Sequence, residues 1–287
     1  MHQISWSHVW PFCILLSKFM RSDDEDAQQP SGDEFALVGS FPFKQSLDRV
    51  KSKAVLSSEP FSVEVPHVKQ LYTWDCGLAC VVMVLRTLGI YNSNIEELAQ
   101  SCSTTSIWTV DLAYMLRKFS VNFSYFTITI GANPNFCVET FYKEQLPSDL
   151  ARVNTLFQEA RDAGINIECR SISGEEMSTL ILSGNCIAIA LVDHHKISRY
   201  WSEDGCIQHF YPKSPGYTGH YVVICGYDAA MDEFEIRDPA SSRKHEKVTS
   251  RRLAEARKSF GTDEDLLLIH LEKGDDRNCQ LSSSLSS

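Results

Sequence analysis

The segment CGLACVVMVLRTL, residues 76–88, constrains this chain more than any other stretch. At helical spacing it is apolar on nearly every side, and a helix without a solvated face has to be surrounded by other elements. Gly89 supplies the stop, as glycine does at helix C-termini. Ahead of the run stands an extended polar approach, HVKQLYTWD, so Cys76 falls in the first helical turn. The N–H groups of that turn have no partner inside the helix, and the helix dipole there favours negative charge. A thiol so placed is either a small packing group or a nucleophile. Cys80, one turn deeper, sits where the N–H groups are already bonded.

The rest of the chain supplies the cover. FSVEVP (61–66) alternates as a strand. NIEELAQSC begins a helix capped by Asn94, and TVDLAYMLRKF a further one capped by Thr109. VNFSYFTITI, Val121 to Ile130, alternates as a strand. Helical signals over 137–163 are broken by Pro147. INIECRSI reads as a strand and SGEEMSTLILSG as a helix opened by a Ser173–Glu176 capping box. In the last third CIAIALVD is a buried strand, and GHYVVICGYD pairs with EFEIRDP in a hairpin turning near Ala230. A helix at SRRLAEARKSF and a strand at DLLLIHL follow. Helices first and an antiparallel sheet second make an α+β protein, with the Cys76 helix packed on the sheet.

The 287 residues form one large domain or two small ones, with ample chain for a core. Residues 1–20 read as a short apolar segment too short to span a bilayer, and 21–60 as an acidic, polar, mostly disordered linker. The folded domain is expected over 61–273 and a polar tail over 274–287. No transmembrane segment is expected elsewhere. Against 27 basic residues stand 37 acidic ones, a formal net charge of -10. Without a basic field, nucleic acid is excluded as a generic partner. The ten cysteines are scattered through apolar segments with no paired metal spacing, which points to a reducing, cytoplasmic setting.

A catalytic thiol needs a base and an oxyanion stabiliser. His220 opens the strand HYVVICGY, where its imidazole can face a helix terminus. Asp238, in IRDPA, ends the partner strand and can orient that imidazole. Gln70, six residues before Cys76, carries an amide able to donate to a developing oxyanion. Asp193-His194-His195 ends a strand and enters a loop; adjacent side chains rarely face one ion, and no metal ligand set is assigned. Asp228, Asp232 and Glu235 could furnish ligands but read as a solvated hairpin turn. Arg117 and Lys118 could meet phosphate but read as a cation pair at a helix C-terminus. No glycine-rich phosphate loop is present.

Two resemblances attach to these residues. Gln70, the C-G-x-A-C at 76–80, GHYVVI and RDP resemble the bacteriocin-exporter leader peptidases, which are papain-like cysteine peptidases. That resemblance implies a papain-like cysteine-peptidase-type fold with Cys76 as nucleophile, Gln70 as oxyanion donor, His220 as base and Asp238 as orienter, acting on a peptide or amide without a cofactor. From about 61 to 272, WDCGLACVVMVLR, SIWTVDLAYMLRKF, GANPNF, FYKEQLP, YTGHYVVICGYD and DEFEIRDPASS are similar to the plant soluble guanylyl cyclase family. Its animal relatives are the guanylyl-cyclase-domain-containing proteins. This second resemblance implies Mg²⁺-dependent conversion of GTP to cyclic GMP and pyrophosphate. Three functions therefore stand as expectations: a guanylyl cyclase, a thiol-dependent hydrolase or transferase, and a non-catalytic binding module on a peptidase scaffold.

Overall fold

The computed structural model describes residues 60–102, 104–198 and 216–271, all within the second of two units, Pro42–Ser287, into which the chain divides. The expected 1–20 segment, the 21–60 linker up to its last residue and the 274–287 tail lie outside the described residues.

Eight strands form one sheet: β1 Phe61–Ser62, β2 Phe123–Thr127, β3 Ile167–Cys169, β4 Cys186–Asp193, β5 Gly219–Asp228, β6 Glu233–Arg237, β7 Glu246–Thr249 and β8 Leu266–His270. Their order is β3-β2-β8-β4-β5-β6-β7, with β1 paired to β5. Every pairing is antiparallel except β2 with β3, which is parallel. The exception follows from connectivity, because the chain between these two strands crosses back through helices and returns in the same direction.

The helices are α1 Cys76–Thr87, α2 Ile95–Gln100, α3 Thr109–Lys118, α4 Thr140–Lys143, α5 Leu146–Glu159, α6 Gly174–Leu182, α7 His194–Ile197 and α8 Ser250–Arg257. The sheet is covered on both faces. One buried cluster joins α1, α3 and α5 to Tyr221, Val223 and Cys225 of β5. The other joins α6 and α8 to Val222 and Ile224 of the same strand. Strand β4 is buried at all eight positions, as a strand enclosed on both faces must be. In α1 every residue from Cys76 to Leu85 is buried, so the all-round apolar reading holds. Each fully buried Leu or Val there is worth about 1.5–3 kcal/mol.

Several boundaries differ from expectation, and for three of them the structure shows why. Thr109 is the first helical residue of α3 rather than its cap. The Asp111 carboxylate accepts Trp108 N–H at 2.8 Å, and the Thr109 hydroxyl bonds Tyr221 Oη at 3.0 Å. The expected break at Pro147 falls just ahead of it, at Glu144 and Gln145, and Pro147 itself stands in the first turn of α5, where a proline loses no intrahelical bond. Only Phe61–Ser62 of the expected 61–66 strand pairs in the sheet. Beyond it, Val63 donates to the Cys225 carbonyl at 2.9 Å, and the Val65 carbonyl is taken by the buried Arg237 guanidinium at 2.9 Å. Gly226 makes the β1 contact feasible: a Cβ there would lie 2.5 Å from Ser62 Cβ and 2.8 Å from the Phe61 carbonyl oxygen.

Candidate active site

Segment 63–75 carries the chain from β1 to α1 and is pinned to the end of the sheet. His67 Nε2 donates to the Asp238 carbonyl at 2.9 Å, and Gln70 N–H to the Pro239 carbonyl at 3.0 Å. The carboxylate of Asp75, which has no solvent exposure, accepts from Leu71 and Tyr72 N–H at 3.2 and 3.0 Å and folds the turn back on itself. Asp75 therefore serves the loop, and its side chain leaves the helix N–H groups alone. The first intrahelical bond is Ala79 N–H to the Asp75 carbonyl, 3.0 Å, so the N–H groups of Cys76, Gly77 and Leu78 precede the ladder. Gly77 lets this turn come close: a Cβ would stand 3.0 Å from both Leu112 and Tyr221 side-chain carbons.

His220 and Asp238 arrive from neighbouring strands. In the β5–β6 register Val223 lies opposite Arg237, which brings the start of β5 and the end of β6 to one side of the sheet. There His220 Nε2–H donates to Asp238 Oδ1 at 2.7 Å. Both residues are almost wholly buried. Asp238 Oδ1 also accepts Ala240 N–H at 2.8 Å. The other polar contact of the imidazole is with the Cys76 side chain. Burial pulls the His220 pKa down, but the Asp238 hydrogen bond and the Cys76 contact outweigh it and lift the group to about 10. Burial raises the Asp238 carboxyl, and the hydrogen bond and charge of His220 more than reverse this and hold it below its usual value. The thiol of Cys80 differs: burial first, then the neighbouring Cys76 and Asp238, push it well above its ordinary range.

Cys76, His220 and Asp238 are thus joined, although up to 162 positions separate them in sequence. Gln70 lies in the same loop, six residues ahead. Its amide nitrogen donates to the Tyr72 carbonyl at 2.7 Å, and its buried Oε1 has no partner. Arg117 donates to the Ala163 carbonyl from the last turn of α3, away from this site. Asp228 binds Lys247 at 3.1 Å, and Glu235 binds Arg237 at 2.6 Å and His245 at 2.9 Å. Asp232 accepts the Tyr227 hydroxyl at 2.7 Å and also Ser250. These hairpin acids hold structure together.

A cleft of about 360 Å³ opens beside Cys76, walled by Trp74, Trp108, Phe141, Tyr142 and Tyr221. Tyr142 and Tyr217 stack at 5.7 Å, and Trp108 packs on Tyr142 at 5.3 Å. Behind this wall Arg152 bridges Asp111 at 2.5 Å and Asp149 at 3.0 Å, while Asp149 accepts Trp108 Nε1–H at 3.0 Å. Asp263 and Asp265 also line the cleft. Burial raises the Asp263 carboxyl to about 6. Asp265 is pushed up to about 8, by burial and then by the charge of Asp263. Sequence reasoning missed these residues. The TDED run at 262–265 was its only signal, and nothing local ties that run to Cys76. Among the described residues no helix is long and apolar enough to cross a membrane.

A family model described as guanylylate cyclase matches residues 65–269. A relative from Arabidopsis thaliana named Guanylyl cyclase 1 is 55% identical over 273 residues, covering 94% of this chain and 99% of its own length. Among solved structures, one described as a C39-like peptidase from Bacillus anthracis matches with a TM-score of 0.44 and 14% identity, covering 75% of this chain and 99% of its own. Xylellain, a cysteine protease from Xylella fastidiosa, matches at 0.35 and 10%, covering 78% and 90%. Identities this low say nothing of substrate.

Proposed function

The chain belongs to the guanylylate cyclase family, and we propose that its chemistry is carried by a thiol: acyl transfer from, or hydrolysis of, a peptide or amide at Cys76. The observation that supports this is the chain of contacts from Cys76 through His220 to Asp238, at the head of a buried helix and beside a cleft. His220 is in hydrogen-bond contact with the sulfur and carries its proton at neutral pH, so it can supply the acid that the leaving group needs. In the proposed cycle the sulfur attacks the substrate carbonyl and the carbonyl π electrons move onto oxygen. The Cys76 N–H stabilises that oxyanion. Gln70 would join it after exchanging its Tyr72 bond. The C–N bond then breaks, His220 gives its proton to the leaving amine, and a thioester remains. Water or an acceptor amine gives its proton to His220 and attacks the thioester carbonyl, the C–S bond breaks, and the acyl group leaves the sulfur beside a protonated His220, as at the start. Asp238 keeps the ring oriented and stabilises its charged form.

A second reading, cyclisation of GTP, is favoured by the family match and by the name of the Arabidopsis relative. It requires Mg²⁺ on ionised oxygen ligands, and cations on the leaving pyrophosphate. The cleft does not fit that demand. No Lys or Arg is among the described residues lining it to meet a leaving pyrophosphate.

The two readings respond oppositely to two treatments. Purified chain should cleave members of a fluorogenic peptide library in excess EDTA, and Cys76→Ala should lose that activity at least ~100-fold. Mg²⁺-dependent cyclic GMP formation that is undiminished in Cys76→Ala, with no Cys76-dependent peptide cleavage, would refute the thiol reading.

A further inference from the structure

Strands β4, β5 and β6 are neighbours, and the end of the sheet that gathers His220 and Asp238 receives a third ligand-type side chain. Asp193 pairs with Gly219, so His194, the next residue, emerges beside the start of β5. Its backbone is fixed by His194 N–H to the Thr218 carbonyl at 2.9 Å, and the Asp193 carboxylate caps the short α7 through His195 N–H at 3.1 Å. The His194 ring centroid lies 4.5 Å from that of His220. Nitrogen atoms of His194 and His220 and a carboxylate oxygen of Asp238 all lie within 4.8 Å of one another. His194 is half-buried and the other two are buried.

We infer that His194, His220 and Asp238 form a zinc-type site that takes His220 out of service. Two imidazole nitrogens and one carboxylate suit a borderline transition ion such as Zn²⁺, whereas Mg²⁺ prefers an all-oxygen set. Donors bonded tetrahedrally at about 2.0–2.1 Å stand roughly 3.4 Å apart, so shifts of about an ångström close this set around an ion. Access comes from the far side. His194 and Asp238 line an open groove with Ser198, Ser241 and Arg243, and this groove shares no lining residue with the Cys76 cleft. An ion arriving there takes His220 Nε2, the nitrogen now bonded to Asp238, and the Nε2 proton leaves to solvent. The ring then has one nitrogen on the metal and can no longer shuttle a proton for Cys76. Binding of the ion is independent of the proposed thiol chemistry; only the inhibition rests on it.

The test is zinc binding to the full chain, by competition with a chromophoric chelator, together with Co²⁺ absorption spectra. One Zn²⁺ per chain is expected, with affinity reduced ~100-fold or more in His194→Ala and in the better-packing His194→Gln. Binding should survive Cys76→Ala, and the Co²⁺ form should lack a thiolate charge-transfer band. No binding, binding indifferent to both His194 variants, or binding lost with Cys76 would overturn the site. Zinc bound through His194 in a chain without thiol activity would support the site and count against the proposed function instead.

Discussion

Replacing Asp265 by asparagine tests whether the floor of the cleft is built around a neutral carboxylic acid. The Asp265 carboxyl sits at about 8 when folded, raised by burial and by the Asp263 charge, against about 3.9 in an unfolded chain. A folded value above the unfolded one means that the native state binds more protons. Its contribution to stability is therefore complete below about pH 4 and is lost as pH rises through about 8. Roughly four units at about 1.36 kcal/mol each set a ceiling near 5–6 kcal/mol. Relaxation and a higher effective dielectric reduce this to about 3 kcal/mol. Asparagine has a similar shape, carries no charge and can still accept the Tyr125 hydroxyl, which donates to Asp265 Oδ2 at 3.1 Å. Urea unfolding followed by circular dichroism should place the variant within ~1 kcal/mol of wild type at about pH 5, and above it by ~2–3 kcal/mol at about pH 9. The raised Asp263, and His220 with its value near 10, are common to both proteins and cancel in the difference. Parallel stability profiles from pH 5 to 9, or a variant less stable than wild type at the alkaline end, would refute the reasoning.

Two further outcomes follow from the same geometry. Iodoacetamide at about pH 6 should label Cys76 well before Cys80, whose thiol is buried and pushed up. Peptide mass mapping should find much of that selectivity gone in His220→Ala, and equal, slow labelling of both cysteines in wild type would return Cys76 to a packing role. Gly226→Ala should destabilise the domain by ~1–3 kcal/mol in urea titration, because the new methyl has to displace the β1 backbone and Ser62. No loss of stability would mean that β1 is not held against β5.

The local and the periodic were legible in the sequence. The apolar run at 76–88 fixed a buried helix, and Gly89 its end, because an unbroken apolar surface leaves no alternative to burial. Asn94 and Ser173 announced their helices, since a capping oxygen three residues ahead of its N–H is a local device. The GHYVVICGYD–EFEIRDP hairpin was equally readable and carried His220 and Asp238 with it. Boundaries that depend on distant partners were not. Thr109 begins its helix instead of capping it and bonds Tyr221, and the strand after Ser62 gives way where Arg237 takes the Val65 carbonyl. The tertiary structure alone set the contents of the site. Asp265 enters the cleft because β8 lies between β2 and β4, and His194 meets His220 because β4 ends where β5 begins. Strand order and register decide such meetings, and the energy that sets them comes from burying both faces of the sheet at once. No short stretch of sequence holds that information.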